Sequence, residues 1–231
     1  MTPSRSAPPV LYKYYPPERV DIFDNWSIRF SDLRQFNDTF DSDLRLHDKR
    51  PKGRRLKDLK TVGIFCMTED PDSQLMWAHY AAQNTGFVLG LHTSVPPFSD
   101  DSGPLEVIYQ PTPPSMPFSD EPPLDLFRIK PSAWVAEKEW RCIRRLALTD
   151  SRDFALSLDA IAEIIVGARI HKSHLTAILQ MVEWVKPDFE IPVSESKPNR
   201  YTWEFEHALS PFRLCQACDG NGHVRQKETS A

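Results

Sequence analysis

Six residues without a polar side chain, Val62-Gly-Ile-Phe-Cys-Met67, bound the architecture of this chain more tightly than any other stretch. A continuous apolar run of strand length reads as a central strand buried on both faces, with Cys66 inside it. Other short β-branched or aromatic runs surround it. Residues 10–15 form one that Pro16-Pro17 stops, residues 27–30 alternate, residues 87–92 follow a helix, and residues 105–109, 164–166 and 201–209 complete the set. Twenty-one prolines against eight glycines mark many rigid connections between them.

Helices are fewer. Residues 20–26 suggest a short one. In 73–84, Leu75, Met76, His79, Tyr80 and Gln83 recur at helical spacing, with Gly86 placed to end the helix. Leu175, Ile178, Leu179, Val182 and Val185 make an amphipathic helix with Ser173 as N-cap and Pro187 as stop. The expectation is a single α+β domain over 10–209, a mixed, mostly antiparallel sheet flanked by a few helices. A loose tail at 1–9, a Pro-rich irregular insertion at 95–124 and a Cys-x-x-Cys tail at 210–231 are appended to it.

With 231 residues and 40% hydrophobic content the chain can build a real core. No apolar run approaches the roughly 20 residues that cross a bilayer, and residues 1–9 lack a signal-peptide stretch. Four cysteines, unevenly placed, do not make a disulfide framework. A cytoplasmic protein without membrane contact is expected. A net charge of -4 gives no general pull toward nucleic acid, so any basic site is local. One exists: residues 45–60 carry eight Lys and Arg against Asp48 and Asp58, a local balance of +6. It is either a solvated loop or a contact for nucleotide phosphates, and no aromatic residue interleaves it for base stacking.

The chemistry concentrates in Trp134-Val-Ala-Glu137-Lys-Glu139-Trp-Arg141. Extended, this stretch puts Glu137, Glu139 and Arg141 on one face and Lys138 and Trp140 on the other. Two close carboxylates raise the proton affinity of one, while Arg141 lowers that of its neighbour, so one acid and one base are expected; the alternative is a solvated charged edge. His79 is either a proton carrier or a hydrogen-bonded structural histidine. Asp38, Asp41 and Asp43 form either a side-chain-stabilised turn or ligands for a hard cation.

Leu11-Tyr-Lys-Tyr14, Phe36-Asn-Asp38, Phe40-Asp41, Leu75-Met-Trp77-Ala-His79-Tyr80-Ala81, Gly86 and Trp134-x-x-Glu137-x-Glu139-Trp140-Arg141 together resemble the bacterial domain of unknown function 2971, from about residue 11 to 185. That resemblance implies no settled activity. Trp134, Glu137 and Glu139 also match the spacing of the ADP-ribosyltransferases, an aromatic residue followed after two positions by Glu-x-Glu. This resemblance implies NAD as cofactor, Glu139 on the nicotinamide ribose, Glu137 orienting an acceptor, Tyr12, Lys13 and Tyr14 on the first strand and Thr68 on a second. The chain departs from that pattern at Lys13, where the family has Arg or His, and at Thr68, the one residue left of a Ser-Thr-Ser strand. The implied function is a glutamate-dependent transferase of bacterial conflict or stress, acting on a protein or nucleic-acid acceptor. Two alternatives stand beside it. In one, Asp38, Asp41, Asp43, Glu137 and Glu139 hold a metal for phosphodiester hydrolysis. In the other, a non-enzymatic domain uses Trp77, Trp134, Trp140 and Trp203 as core or interface. In the tail, Cys215-Gln-Ala-Cys218-Asp-Gly220-Asn-Gly222 resembles one cysteine-rich repeat of the DnaJ chaperones, which implies zinc on Cys215 and Cys218, with His223, His207 or another subunit closing the site.

Overall fold

β1 (Val10–Tyr15) is cut off where Pro16-Pro17 removes two backbone donors, and the chain turns at once into a 3-10 helix, Pro17–Asp21. The computed structural model describes residues 5–38, 40, 61–100, 103–114, 123–185, 190–209, 213–214 and 224–225. Its fold is α+β: nine strands form a mixed, mostly antiparallel sheet, with a few helices. Contacts gather into two units, each assembled from separated segments.

The first unit takes residues 1–11, 27–70 and 93–156. Its centre is β4 (Val62–Thr68), the apolar run, antiparallel to β9 (Glu139–Arg145) from Val62↔Arg145 to Thr68↔Glu139. β3 (Ser31–Asp32) pairs with β4, and β6 (Leu105–Glu106) pairs with β9. The expected strand at 105–109 is two strands: β6 stops at Glu106, buried Val107 still donates its N–H to the Glu139 carbonyl at 3.0 Å, and β7 (Ile108–Gln110) pairs in parallel with β8 (Ile129–Pro131). β2 (Ser27–Arg29) and β10 (Asp153–Ala155) form a separate antiparallel pair. Leu33, Val62, Ile64, Leu126, Phe127 and Ile143 make one buried apolar cluster. Residues 5–9 are not a loose tail: Thr93 donates its hydroxyl to the Pro8 carbonyl at 2.7 Å and its N–H to that of Pro9 at 3.0 Å.

The second unit takes residues 12–26, 71–92 and 157–231. Its strands run in the order β13 (Phe205–Leu209), β12 (Val193–Pro198), β11 (Ile161–Val166), β5 (Phe87–His92), β1, and only β11 and β12 are parallel among these pairs with known register. The helix expected at 20–26 is shorter, α1 (Ile22–Asn25), ended by Trp26 at φ 45°. α2 (Gln74–Tyr80) starts where expected, Ser73 Oγ accepting the Met76 N–H at 3.3 Å, but stops earlier than the apolar spacing implies. Ala82, Gln83 and Asn84 hold positive φ and reverse the chain before Gly86 is reached. Gly86 serves another purpose: a Cβ there would lie 2.0 Å from the Tyr15 carbonyl oxygen, so only glycine lets the two backbones approach. Trp77, Tyr14, Ala81, Val88 and Ile165 close the core beneath α2.

α3 (Lys172–Val185) buries the expected face through Leu175, Ile178, Leu179 and Val185. Ser173 is inside it, and His171 Nδ1 accepts the Ser173 N–H at 3.3 Å in the role expected of Ser173. The last strand begins at Phe205, because Asn199 Oδ1 takes the N–H groups of Tyr201 and Thr202 at 2.7 and 3.1 Å and curls the chain into a turn. Trp203 is therefore 92% exposed, while Trp77 and Trp140 are core.

Candidate functional site

Pro131 ends β8, and the next six residues, Ser132–Glu137, wind into a 3-10 helix rather than an extended segment. Lys138 then adopts a left-handed conformation, φ 45° and ψ 49°, and the strand starts only at Glu139. The single alternating face expected from Trp134 to Arg141 is thus corrected. Alternation holds from Glu139 onward, where Glu139 and Arg141 share one face and Trp140 the other, and Glu137 reaches its neighbours from the end of a helical turn.

The carboxylates nevertheless meet, on a residue that the sequence did not mark. Lys130, on β8, places its ammonium 2.5 Å from Glu137 Oε2 and 2.8 Å from Glu139 Oε2. Arg141 Nε lies 2.8 Å from Glu139 Oε1 and its Nη2 3.2 Å from Oε2, while Nη1 donates to the Phe127 carbonyl at 2.7 Å. All four are buried: Lys130 and Glu139 are 5% exposed, Glu137 8% and Arg141 0%. Two anions and two cations cancel inside the protein, which is the condition under which charges survive burial.

Surrounding groups fix the geometry. Thr68 Oγ1 donates to the Glu137 carbonyl at 2.7 Å and accepts the Asp70 N–H at 3.1 Å, which ties the end of β4 to the turn. The Tyr109 hydroxyl accepts the Glu139 N–H at 2.8 Å. The Lys130 ammonium lies 5.0 Å from the centre of the half-buried Trp134 ring, and the Arg141 guanidinium 5.5 Å from that of Phe36. The Cys66 thiol hydrogen-bonds to the Glu139 carboxylate.

These contacts set the charge states. Burial by itself raises the Glu139 carboxyl, but Arg141 and Lys130 outweigh it and hold the group well below the usual carboxylate range. Burial likewise opposes the Lys130 ammonium, and Glu139 and Glu137 more than offset it, so the amine stays protonated beyond its ordinary range. The bridging ammonium replaces the mutual repulsion from which an acid and a base were expected. Glu139 is a fixed anion.

Glu137, Glu139, Arg141, Thr68 and Trp134 therefore come together, and all belong to the first unit. Tyr12, Lys13, Tyr14 and His79 belong to the second. There the Tyr12 hydroxyl donates to Glu163 Oε1 at 3.2 Å and is pushed up to about 12, chiefly by burial and then by Glu163. Tyr14 packs edge-on against Trp77 at 5.3 Å, and the Lys13 ammonium lies 6.0 Å from the Tyr15 ring. His79 is exposed on α2, its ring 6.4 Å from that of Tyr80, rather than on a half-buried face. Asp38 Oδ1 accepts the Phe40 N–H at 2.9 Å, as a turn requires. Asp41, Asp43, the basic loop 45–60, Cys215 and Cys218 lie outside the described residues. Among the described residues no three His, Cys, Asp or Glu side chains gather as a metal site, and no helix is long and apolar enough to cross a membrane.

Lys130 and Tyr109 were not singled out by the sequence. A lone lysine between Ile129 and Pro131 carries no periodic signal, and its role depends on β8 lying beside the turn that follows it. No family model, curated protein or solved structure matches this chain.

Proposed function

We propose that the chain is a glutamate-dependent transferase of the ADP-ribosyltransferase type, with NAD as donor substrate and Glu139 as the essential carboxylate. One observation carries this reading: Glu139, at the first position of β9, is held ionised by Arg141 and Lys130 with a second carboxylate, Glu137, on the same ammonium. Heterolysis of the bond between ribose and nicotinamide sends the electron pair out with nicotinamide and leaves positive charge on the sugar. A carboxylate that never protonates at neutral pH is the group that offsets such charge. The acceptor's lone pair then forms the new bond to the sugar carbon, and its proton passes to a base, the role assigned to Glu137. The donor set also fits chemically, since carboxylates accept from ribose hydroxyls and Trp134 offers an aromatic face beside them. The reading requires Lys130 to give up part of its hold on the two glutamates when a sugar binds.

Titration calorimetry of NAD against the wild type and Glu139→Gln, with and without EDTA, tests it. Saturable binding that the substitution weakens about tenfold or more and EDTA leaves alone supports it; absence of binding refutes it.

A second reading is favoured by the burial and internal neutrality of the same cluster: Lys130, Glu137, Glu139 and Arg141 act as a brace in a partner-binding domain. Glu139→Gln would then lower stability and change no ligand's affinity. The metal-hydrolase reading has less support, because the two glutamates already face cations and Asp38 takes up a turn.

A further inference from the structure

Trp140 points to the face of β9 opposite Glu139, and a group of a different kind meets it there. Its cross-strand neighbours are Met67 on β4 and Glu106 on β6. Its indole N–H donates to Glu69 Oε1 at 2.7 Å, just beyond the end of β4. A flat ring with two carboxylates beside it is a receptor for a planar cation, and the Trp140 ring is fully covered in this structure. One is seated on it: the Arg5 guanidinium lies 5.3 Å from the Trp140 ring centre, ion-paired with Glu69 and 3.3 Å from Glu106 Oε1.

We propose that Glu69, Glu106 and Trp140 form a guanidinium-recognition site, which the chain's own N-terminal segment fills at rest and which an arginine borne on a peptide fills in its place. The proposal is independent of the transferase reading.

Two features support an exchangeable occupant rather than a permanent brace. The Arg5 side chain is 53% exposed, and Glu69 and Glu106 are partly exposed, a setting in which water screens the ion pairs and each holds weakly. Farther along the segment, Thr93 bonds the Pro8 and Pro9 carbonyls and reads no side chain. The occupant is thus a short run with one arginine, Arg5-Ser-Ala-Pro-Pro9, and any peptide presenting an arginine in the same way offers the same chemistry. The choice of guanidinium over ammonium follows from shape. Arg5 Nη2 meets both carboxylates while the planar, weakly hydrated guanidinium lies over the ring, whereas an ammonium is a compact, strongly hydrated point charge.

Tethering gives Arg5 an effective concentration in the millimolar range, so a free ligand competes poorly until the tether's cation is removed. The test is a titration of full-length wild type, Arg5→Ala and Arg5→Ala/Glu106→Gln with N-acetyl-arginine amide, following the tryptophan indole N–H resonances by NMR. Thermal melts of each variant confirm folding. In Arg5→Ala, one indole signal should move and then return toward its wild-type position as the probe saturates. The wild type should require about tenfold more probe, and Glu106→Gln should weaken the response in the double variant. Equal affinity of wild type and Arg5→Ala, or undiminished affinity in the double variant, would overturn the site. N-acetyl-lysine amide binding as tightly as the arginine probe would overturn its specificity for guanidinium.

Discussion

Replacing Lys130 by Met removes the ammonium that Glu137 and Glu139 share while keeping the length of the aliphatic stem. Both carboxylates stay buried. Arg141 still holds Glu139 through two contacts, and Glu137 loses the ammonium 2.5 Å from its Oε2. Breaking one side of a buried ion pair costs about 3–5 kcal/mol. For a chain of this length each kcal/mol lowers the melting temperature by about 2 °C, so a fall of about 6–10 °C is expected. The pH dependence identifies the cause. Glu139 titrates in the folded protein below its ordinary value of 4.5, so its stabilising contribution is complete above that pH and fades as the pH falls toward the folded value. Lys130 titrates above its ordinary 10.5, so its contribution is complete below that pH and is lost only at higher pH. The gap between wild type and Lys130→Met, read from urea midpoints, should therefore be widest near pH 9 and narrow as the pH falls, because a buried carboxylate deprived of the ammonium takes up a proton at a higher pH than one that keeps it. The double substitution Lys130→Met/Glu137→Gln should recover about half of the loss, since the carboxylate that loses its contact with Lys130 is then replaced by a neutral amide. A gap that does not change between pH 6 and 3.5 would show that Lys130 acts through packing and would refute the electrostatic account.

Thr68→Val keeps the shape but removes the hydroxyl that joins the Glu137 carbonyl to the Asp70 N–H, and should cost about 1–3 kcal/mol in urea denaturation. Gly86→Ala drives a methyl group into the Tyr15 carbonyl; loss of soluble folded protein or a melting temperature lower by 10 °C or more is expected, and a normal melt would disprove the close approach. Trp203→Ser should leave the melting temperature within about 1 °C of wild type, because an exposed side chain has little burial to lose, whereas Trp77→Ala should cost about 3–5 kcal/mol.

Where local chemistry acts alone, the sequence is sufficient. The apolar run 62–67 becomes the buried strand β4, the 3.6-residue spacing of Leu175 to Val185 becomes α3, and β5 forms over Phe87–His92 as its side chains indicate. These elements are set by side-chain periodicity and by the prolines that end them, properties a chain carries before it folds. The convergence of Glu137, Glu139 and Arg141 was also legible as a pattern of charges, although for a reason that does not hold, an uninterrupted strand.

Tertiary structure decided the rest. The turn at Ser132–Glu137 and the left-handed Lys138 exist because β9 can pair with β4 only as far as Thr68↔Glu139, a limit set by a partner about seventy positions away. Lys130 becomes the hub of the ionic cluster because β8 brings it back beside residues seven and nine positions later. Arg5 lies on Trp140 because Thr93 fastens the segment that follows it. In each case the decisive energy is an interaction between residues far apart in the chain or across a turn whose geometry is imposed from outside it. Composition and spacing determined which elements form and which residues carry charge; only the paired strands determined that Glu139 is a fixed anion rather than one half of an acid and base pair.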